Sequence, residues 1–203
     1  MTRAAARIVA MALGLALTLA GCSIAPAPAP APASYDFGPA PAGQPKSTRQ
    51  ALLVHDVGAP AWLDSPLIHY RLAYQDAARP QSYADSRWVM SPVVLLTHRL
   101  RLQLAASGSG GIVLPGDAAR AHYALRVELD EFAQVFDAPG KSRAVVRMRA
   151  SVVGNRSLLA QRNFNVERPA KTPDAEGGVR ALIGASDEAI DQIIGWAVGY
   201  LKD

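Results

Sequence analysis

Three successive stretches of alternating apolar and polar residues constrain the fold of this chain most strongly. Apolar residues recur at every second position over 123–129 and 146–152, and Ala160, Phe164 and Val166 give a similar alternation with polar residues over 160–166. This period of two is typical of strands that bury one face and expose the other. The turn dipeptides Pro139-Gly140 and Gly154-Asn155 separate the three runs. The pattern therefore predicts an antiparallel meander of three strands.

The remaining elements are predicted on either side of this meander. Ser91-Pro92 indicates a helix start, because serine caps a helix and proline suits its first position. Near the C-terminus, Gly184 and Ser186 could divide a long amphipathic helix. Together the elements predict an α+β domain, with two helices packed on one face of a mainly antiparallel sheet. The further predicted elements are strands at 51–54 and 67–72, a hairpin return near Pro80 and Tyr83, and helices at about 92–107 and 179–201.

The first 22 residues have the pattern of a secretion signal. Arg3 and Arg7 precede an apolar stretch over residues 8–19, which is shorter than the roughly 20 residues that span a bilayer. Cys22, the only cysteine, follows Leu19-Ala20-Gly21, a sequence similar to the cleavage site of bacterial lipoproteins. We therefore expect a signal peptide at 1–21 and a membrane anchor at acylated Cys22. An ordinary secretory signal with a chance cysteine is the alternative.

An Ala-Pro repeat over residues 25–33 follows the cysteine. Such segments adopt extended polyproline II conformation at about 3.1 Å per residue, so residues 23–48 could reach about 80 Å. We expect an acylated, Pro-rich linker at 22–48 and one folded domain at 49–203. Ser23 is not the aspartate that usually retains lipoproteins in the inner membrane, which favours the outer membrane and its periplasmic face.

The charge balance excludes an obvious nucleic-acid partner. Arg3 and Arg7 account for two of the 21 basic residues, so removing the signal lowers the net charge from +4 to +2. No basic stripe or tail remains in the mature sequence. With Cys22 acylated, no thiol is left for a disulfide or a thiolate metal site.

The sequence contains no recognisable catalytic or metal-binding motif. The four histidines, His55, His69, His98 and His122, lack the spacing of paired metal ligands. Gly-x-Ser-x-Gly is absent, and the glycines at 108–111 are not followed by the lysine of a nucleotide-binding loop. We therefore predict a protein that is not an enzyme and has no cofactor or metal.

Two tryptophans and a pair of arginines are the candidate partner-binding residues. Trp62 and Trp88 flank the first predicted hairpin and could anchor an interface or fill the core. Arg147 and Arg149 share one strand face, which is either a solvated surface or a patch for an acidic partner or lipid headgroups. Arg126 and Arg162 are candidates to extend this patch.

Two stretches resemble a known family. Residues 61–71, AWLDSPLIHYR, contain a Leu-Asp-x-Pro motif before a strand that ends in Tyr-Arg, and residues 83–92, YADSRWVMSP, place a tyrosine, a tryptophan and a proline before a helix. They are similar to the ABC-type transport auxiliary (PqiC-like) lipoproteins over about residues 49–201.

The resemblance implies a non-enzymatic component of a system that moves lipids between the inner and outer membranes. Its partner would be an MCE-domain protein, and a homo-oligomer is left open. The alternatives are an outer-membrane assembly lipoprotein that binds lipopolysaccharide and, less favoured, a periplasmic cell-wall enzyme using a carboxylate such as Asp64 or Asp85.

Overall fold

The computed structural model describes residues 31–41, 50–107 and 110–201. Within these residues a sheet of eight strands is combined with three helices and a 3-10 turn, which confirms the α+β class. The strands are β1 Ala33–Tyr35, β2 Leu52–Val54, β3 Leu67–Leu72, β4 Pro80–Trp88, β5 Ile112–Val113, β6 Tyr123–Ala138, β7 Lys141–Gly154 and β8 Ser157–Pro169; the 3-10 turn is Ala61–Leu63, and the helices are α1 Ala73–Asp76, α2 Pro92–Ser107 and α3 Ala175–Val198.

The predicted meander is confirmed as β6, β7 and β8, which pair antiparallel. Both predicted turns are present, and Gly140 adopts a φ of 75° in the first of them. A β-bulge explains why the alternation in the sequence stops near Asp130. Leu129 pairs with Met148 and Glu131 pairs with Arg147, so Asp130 is an extra residue. The core-facing positions therefore change from odd to even numbers, and Phe132 is buried.

The prediction of a mainly antiparallel sheet is wrong, because the sheet is mixed. β2 pairs parallel with the start of β6 at residues 123–125, and β3 pairs parallel with its end at 134–136. Gly58 bridges the same edge of β6 at Glu128. The chain from residue 52 to residue 72 thus follows β6 along its length and runs parallel to it. β1 with β4 and β2 with β5 are also parallel pairs.

The two long helices contribute to one core with the apolar face of the sheet. That core includes Leu96 and Leu100 from α2, and Leu182 and Ile190 from α3. The possible division of the C-terminal helix does not occur. The buried hydroxyl of Ser186 instead donates to the Leu182 carbonyl at 2.7 Å within a continuous helix.

The segment before residue 42 is part of the fold, although the sequence places it in the linker. β1 pairs with β4, and the Phe37 ring packs edge-on against Trp88 at 5.5 Å between centroids. Arg99, which is 2% exposed, donates to the carbonyl oxygens of Phe37, Gly38 and Pro39. We call residues 33–39 the strap. Its short strand was missed because alanine and proline predict a spacer, whereas Phe37 supplies the apolar contact.

Candidate functional site

The predicted lipidation site, Cys22, lies outside the residues that the structure describes, so its acylation stays a prediction from sequence. The other predicted site residues are all described. Arg147 and Arg149 lie on the sheet, Trp62 lies in the turn before β3, and Trp88 ends β4. These four side chains occupy three different environments.

Arg147 and Arg149 project from β7 on the face opposite the helices, as the alternation predicts. Each has a neighbour across the sheet, because Arg149 pairs with Glu128 and Arg147 lies between Glu131 and Asn165. The carboxylate of Glu128 accepts a hydrogen bond from Arg149 and raises the pKa of that guanidinium. The Arg147 Nε donates to the Asn165 Oδ1 at 3.4 Å.

Arg143 extends this arrangement toward the start of β7. Its Nη1 lies 2.5 Å from Asp137 Oδ1, and its Nε lies 2.9 Å from Glu167 Oε2. The hydrogen bond from Arg143 lowers the pKa of the Glu167 carboxyl. We call the sheet face opposite the helices the open face. Around β7 its charges are balanced rather than basic. Such exposed ion pairs contribute little to the free energy of folding.

The prediction that Arg162 extends this arginine patch is wrong. Arg126 does lie on the open face, because it pairs in the sheet with Ser151, which is on the same face as Arg147 and Arg149. Arg162 pairs with Ala150, whose side chain is in the core, so Arg162 lies on the other face. Its guanidinium carbon is 5.2 Å from the centroid of the Phe164 ring.

Trp62 is exposed and is held in place by its neighbours. Its side chain is 36% exposed, and the guanidinium of Arg71 lies 5.5 Å from the ring centroid. His69 meets the ring edge-on at 5.2 Å and hydrogen-bonds the Trp62 carbonyl through Nε2 at 3.2 Å. Arg71 is itself fixed by Glu131, with 3.1 Å between Nε and Oε1. The indole is thus pre-organised, with part of its surface open to solvent.

Burial lowers the pKa of His69, so its imidazole is neutral at pH 7. The ring beside Trp62 therefore adds no second positive charge to that of Arg71. A neutral imidazole next to an exposed indole suits contact with an apolar partner group.

Trp88 is a core residue, which corrects its assignment as a candidate interface anchor. It is 1% exposed and packs against Phe37 and Phe132, with centroids 5.5 Å and 5.8 Å away. Its Nε1 has no hydrogen-bond partner among the described residues. Its backbone N–H donates to the Pro66 carbonyl at 2.8 Å and fixes the end of β4 beside the turn that carries Trp62.

Several exposed apolar side chains lie on the two segments that this hydrogen bond joins, which are the start of β3 and the loop from β4 into α2. Leu67 pairs with Arg87 in the sheet, and Val89 shares a groove with Pro66. Val94, on the first turn of α2, shares another groove with Asp64. These side chains are between 36% and 50% exposed. We define the Trp62 surface as Trp62, Leu67, Val89, Met90 and Val94.

Sequence reasoning missed most of this surface. The order Val89-Met90 directly before the Ser91-Pro92 helix start contained a usable signal, because two large apolar residues in a helix-entry loop must either be buried or form a patch. The supporting contacts of Arg71 and His69 carry no comparable signal in the sequence. The Arg71–Glu131 pair that fixes this arginine depends on the parallel pairing of β3 with β6.

Within the described residues, no group of three or more His, Cys, Asp or Glu side chains could hold a metal ion. None of the described helices is long and apolar enough to cross a membrane.

Three solved structures share this fold. A Xanthomonas campestris protein of the DUF330 family has a TM-score of 0.65 at 23% identity, covering 83% of this chain and 91% of its own. An uncharacterised protein has a TM-score of 0.64 at 16% identity, covering 81% and 97%. A hypothetical protein from Chlamydia trachomatis has a TM-score of 0.51 at 10% identity, covering 76% and 98%. No curated protein matches the chain.

The fold and the surface define an α+β domain that presents an exposed aromatic site beside a charge-balanced sheet face. The model of the ABC-type transport auxiliary lipoprotein component matches residues 35–194. The chain therefore belongs to this family, which confirms the resemblance seen in the sequence. The match begins at Tyr35, inside the strap.

Proposed function

We propose that this chain is a non-enzymatic lipoprotein subunit of an MCE/ABC-type lipid transport system. In this proposal acylated Cys22 anchors it in the outer membrane, and the domain docks an MCE-domain protein in the periplasm. The observation that carries the proposal is the family match over residues 35–194, because a transport auxiliary component acts through a transport system.

The Trp62 surface is our candidate for the docking site. Interfaces draw most of their free energy from a few central aromatic and arginine residues, which are surrounded by apolar contacts that exclude water. Trp62 fits the central role because Arg71 and His69 already hold its ring, so little side-chain entropy is lost on binding. Leu67, Val89 and the other members are exposed apolar side chains on adjoining segments, and in this proposal the partner covers them as well.

Charge complementarity has a secondary role in this proposal. Arg71 is paired with Glu131, and Arg149 with Glu128. A partner that contacts the Trp62 ring therefore meets an arginine, Arg71, whose charge is already paired. We therefore expect the affinity to depend weakly on salt, since long-range electrostatic steering needs an unbalanced field.

Co-purification from native membranes tests the proposal. An affinity-tagged full chain should retain an MCE-domain protein, and Trp62→Ala should weaken the complex by about 2 kcal/mol, or roughly thirtyfold in Kd. Tyr200→Ala is the matched control, because Tyr200 is 38% exposed and packs edge-on against Trp196, away from Trp62. Its binding should equal that of the unchanged chain.

Two results would contradict the proposal. The first is reproducible absence of an MCE protein from the purified material. The second is a complex that Trp62→Ala leaves intact, which would remove the assigned docking site. Lipopolysaccharide binding without any MCE partner would instead favour an outer-membrane assembly role.

The anchor is tested separately with the full chain. Cys22→Ala removes the only thiol that diacylglycerol could alkylate. We expect this variant to lose metabolic labelling with palmitate and to leave the outer-membrane fraction. Labelling that persists in Cys22→Ala would contradict acylation at this residue.

A further inference from the structure

A groove of about 500 Å³ lies at the end of the sheet where β6 begins and the β7–β8 hairpin turns. This is within the size range of small-molecule sites, roughly 300–1,000 Å³. Its lining combines basic and apolar side chains: Arg126, Arg156, His122, Ala124, Val153 and Leu158.

The hairpin turn determines how these groups meet. Asn155 and Arg156 have φ angles of 51° and 62°, which are those of a tight two-residue turn, and this places Arg156 at the tip. Gly154 precedes them, and a β-carbon there would lie 2.7 Å from Leu159 Cδ1 and 3.1 Å from the Tyr123 ring. Glycine at this position lets the Leu159 side chain and the Tyr123 ring pack closely against the hairpin.

The two arginines of the groove differ from three other arginines on the sheet face opposite the helices. Arg71, Arg143 and Arg149 each pair with a carboxylate. Among the residues that the structure describes, neither Arg126 nor Arg156 has a carboxylate within ion-pair distance. This end of the sheet thus carries positive charge that the chain does not neutralise.

A nearby histidine responds to this charge. Burial lowers the pKa of His55, and the positive charge of Arg126 lowers it further. The backbone N–H of His55 donates to the carbonyl oxygen of Leu125 at 3.2 Å, and Leu125 precedes Arg126 on β6. His55 and Arg126 therefore lie in the same part of the sheet. The positive charge of Arg126 therefore acts on a neighbouring group as well as on solvent.

The apolar part of the groove is also open. Leu158 is 60% exposed and is the most exposed large apolar side chain among those described. Unpaired cations next to the exposed Leu158 suit a ligand that has an anionic head and a hydrocarbon chain. Inorganic anions would satisfy the arginines alone and leave Leu158 in water.

We propose that this groove binds an anionic lipid, with its phosphate at Arg126 and Arg156 and the start of its acyl chains along Leu158 and Val153. The site is distinct from the Trp62 surface, so the inference goes beyond the proposed function and does not require a docked partner. A free phosphate shares the headgroup chemistry but not the chain contacts.

Native mass spectrometry of the full chain in maltoside detergent tests this site. Dioctanoyl phosphatidylglycerol should bind roughly tenfold more tightly than dioctanoyl phosphatidylcholine, because both carry the phosphate but the choline group of the second adds a cation that the two guanidiniums repel. Arg126→Gln with Arg156→Gln should remove that preference. Arg79→Gln with Arg87→Gln, which removes the same charge from other exposed positions, should keep it.

Two outcomes would overturn the proposal. One is equal binding of the two lipids by the unchanged chain. The other is an unchanged lipid preference in the Arg126/Arg156 variant when its melting temperature is unaltered. Leu158→Ser should weaken lipid binding severalfold without affecting competition by inorganic phosphate. Displacement of the lipid by phosphate with no contribution from Leu158 would show a simple anion site instead.

Discussion

Replacing Arg99 by alanine should destabilise this protein by about 3–5 kcal/mol, the usual cost of breaking a buried ion pair. The Arg99 side chain is 3% exposed, and its Nε lies 3.6 Å from Asp187 Oδ1. It also donates to the carbonyls of Gly38 at 3.0 Å and Pro39 at 2.9 Å, and to that of Phe37. The substitution leaves these carbonyls without donors, and it also removes the cation beside a half-buried carboxylate.

Urea unfolding followed by tryptophan fluorescence measures this loss as a lower midpoint at an unchanged m-value. Arg101→Ala is the matched control on the same helix. Its guanidinium pairs at 2.6 Å with an Asp56 side chain that is 75% exposed, so we expect a loss of about 1 kcal/mol or less. The reasoning is refuted if the two variants lose equal stability, or if Arg99→Ala loses less than about 1 kcal/mol.

Further predictions concern α3 and its ion pair. Gly178→Ala should cost about 1–3 kcal/mol in thermal or urea unfolding, because its β-carbon would overlap the buried amide of Gln134. Gly184→Ala in the same helix meets only the end of the exposed Arg168 side chain, so it should be neutral or stabilising by up to about 1 kcal/mol; equal losses would contradict this. Burial raises the pKa of Asp187 above its usual 3.8. The ionised carboxylate therefore lowers the free energy of unfolding, and the protein regains this stability as the pH falls through the raised pKa. Unfolding midpoints should therefore show the unchanged chain losing stability relative to Asp187→Asn as the pH rises from about 4, and a pH-independent difference would contradict this.

The elements with strong local patterns could be predicted from the sequence. The meander follows from alternation and two turn dipeptides, and α2 begins at Pro92 as the Ser91-Pro92 pair predicts. These signals are local, since each depends on residues within one strand or one helical turn.

The features that the sequence did not reveal depend on contacts between distant segments. Alternation in residues 67–72 predicts a strand but contains no information on whether its neighbour runs parallel, as β6 does. The two tryptophans also look equivalent in sequence. Only the packing of Phe37 and Phe132 against Trp88, and the exposed position of Trp62 beside Arg71, distinguish the core residue from the surface residue.

The strap has a consequence for the distance between the domain and its membrane. Because β1 begins at Ala33, only ten residues, 23–32, lie between Cys22 and the sheet. As polyproline II, at about 3.1 Å per residue, ten residues span about 31 Å, rather than the 80 Å expected from a linker that ends at residue 48. If Cys22 is acylated as proposed, the domain is kept within a few nanometres of the lipid headgroups. A partner rooted in the opposite membrane must then extend across most of the periplasm to reach it.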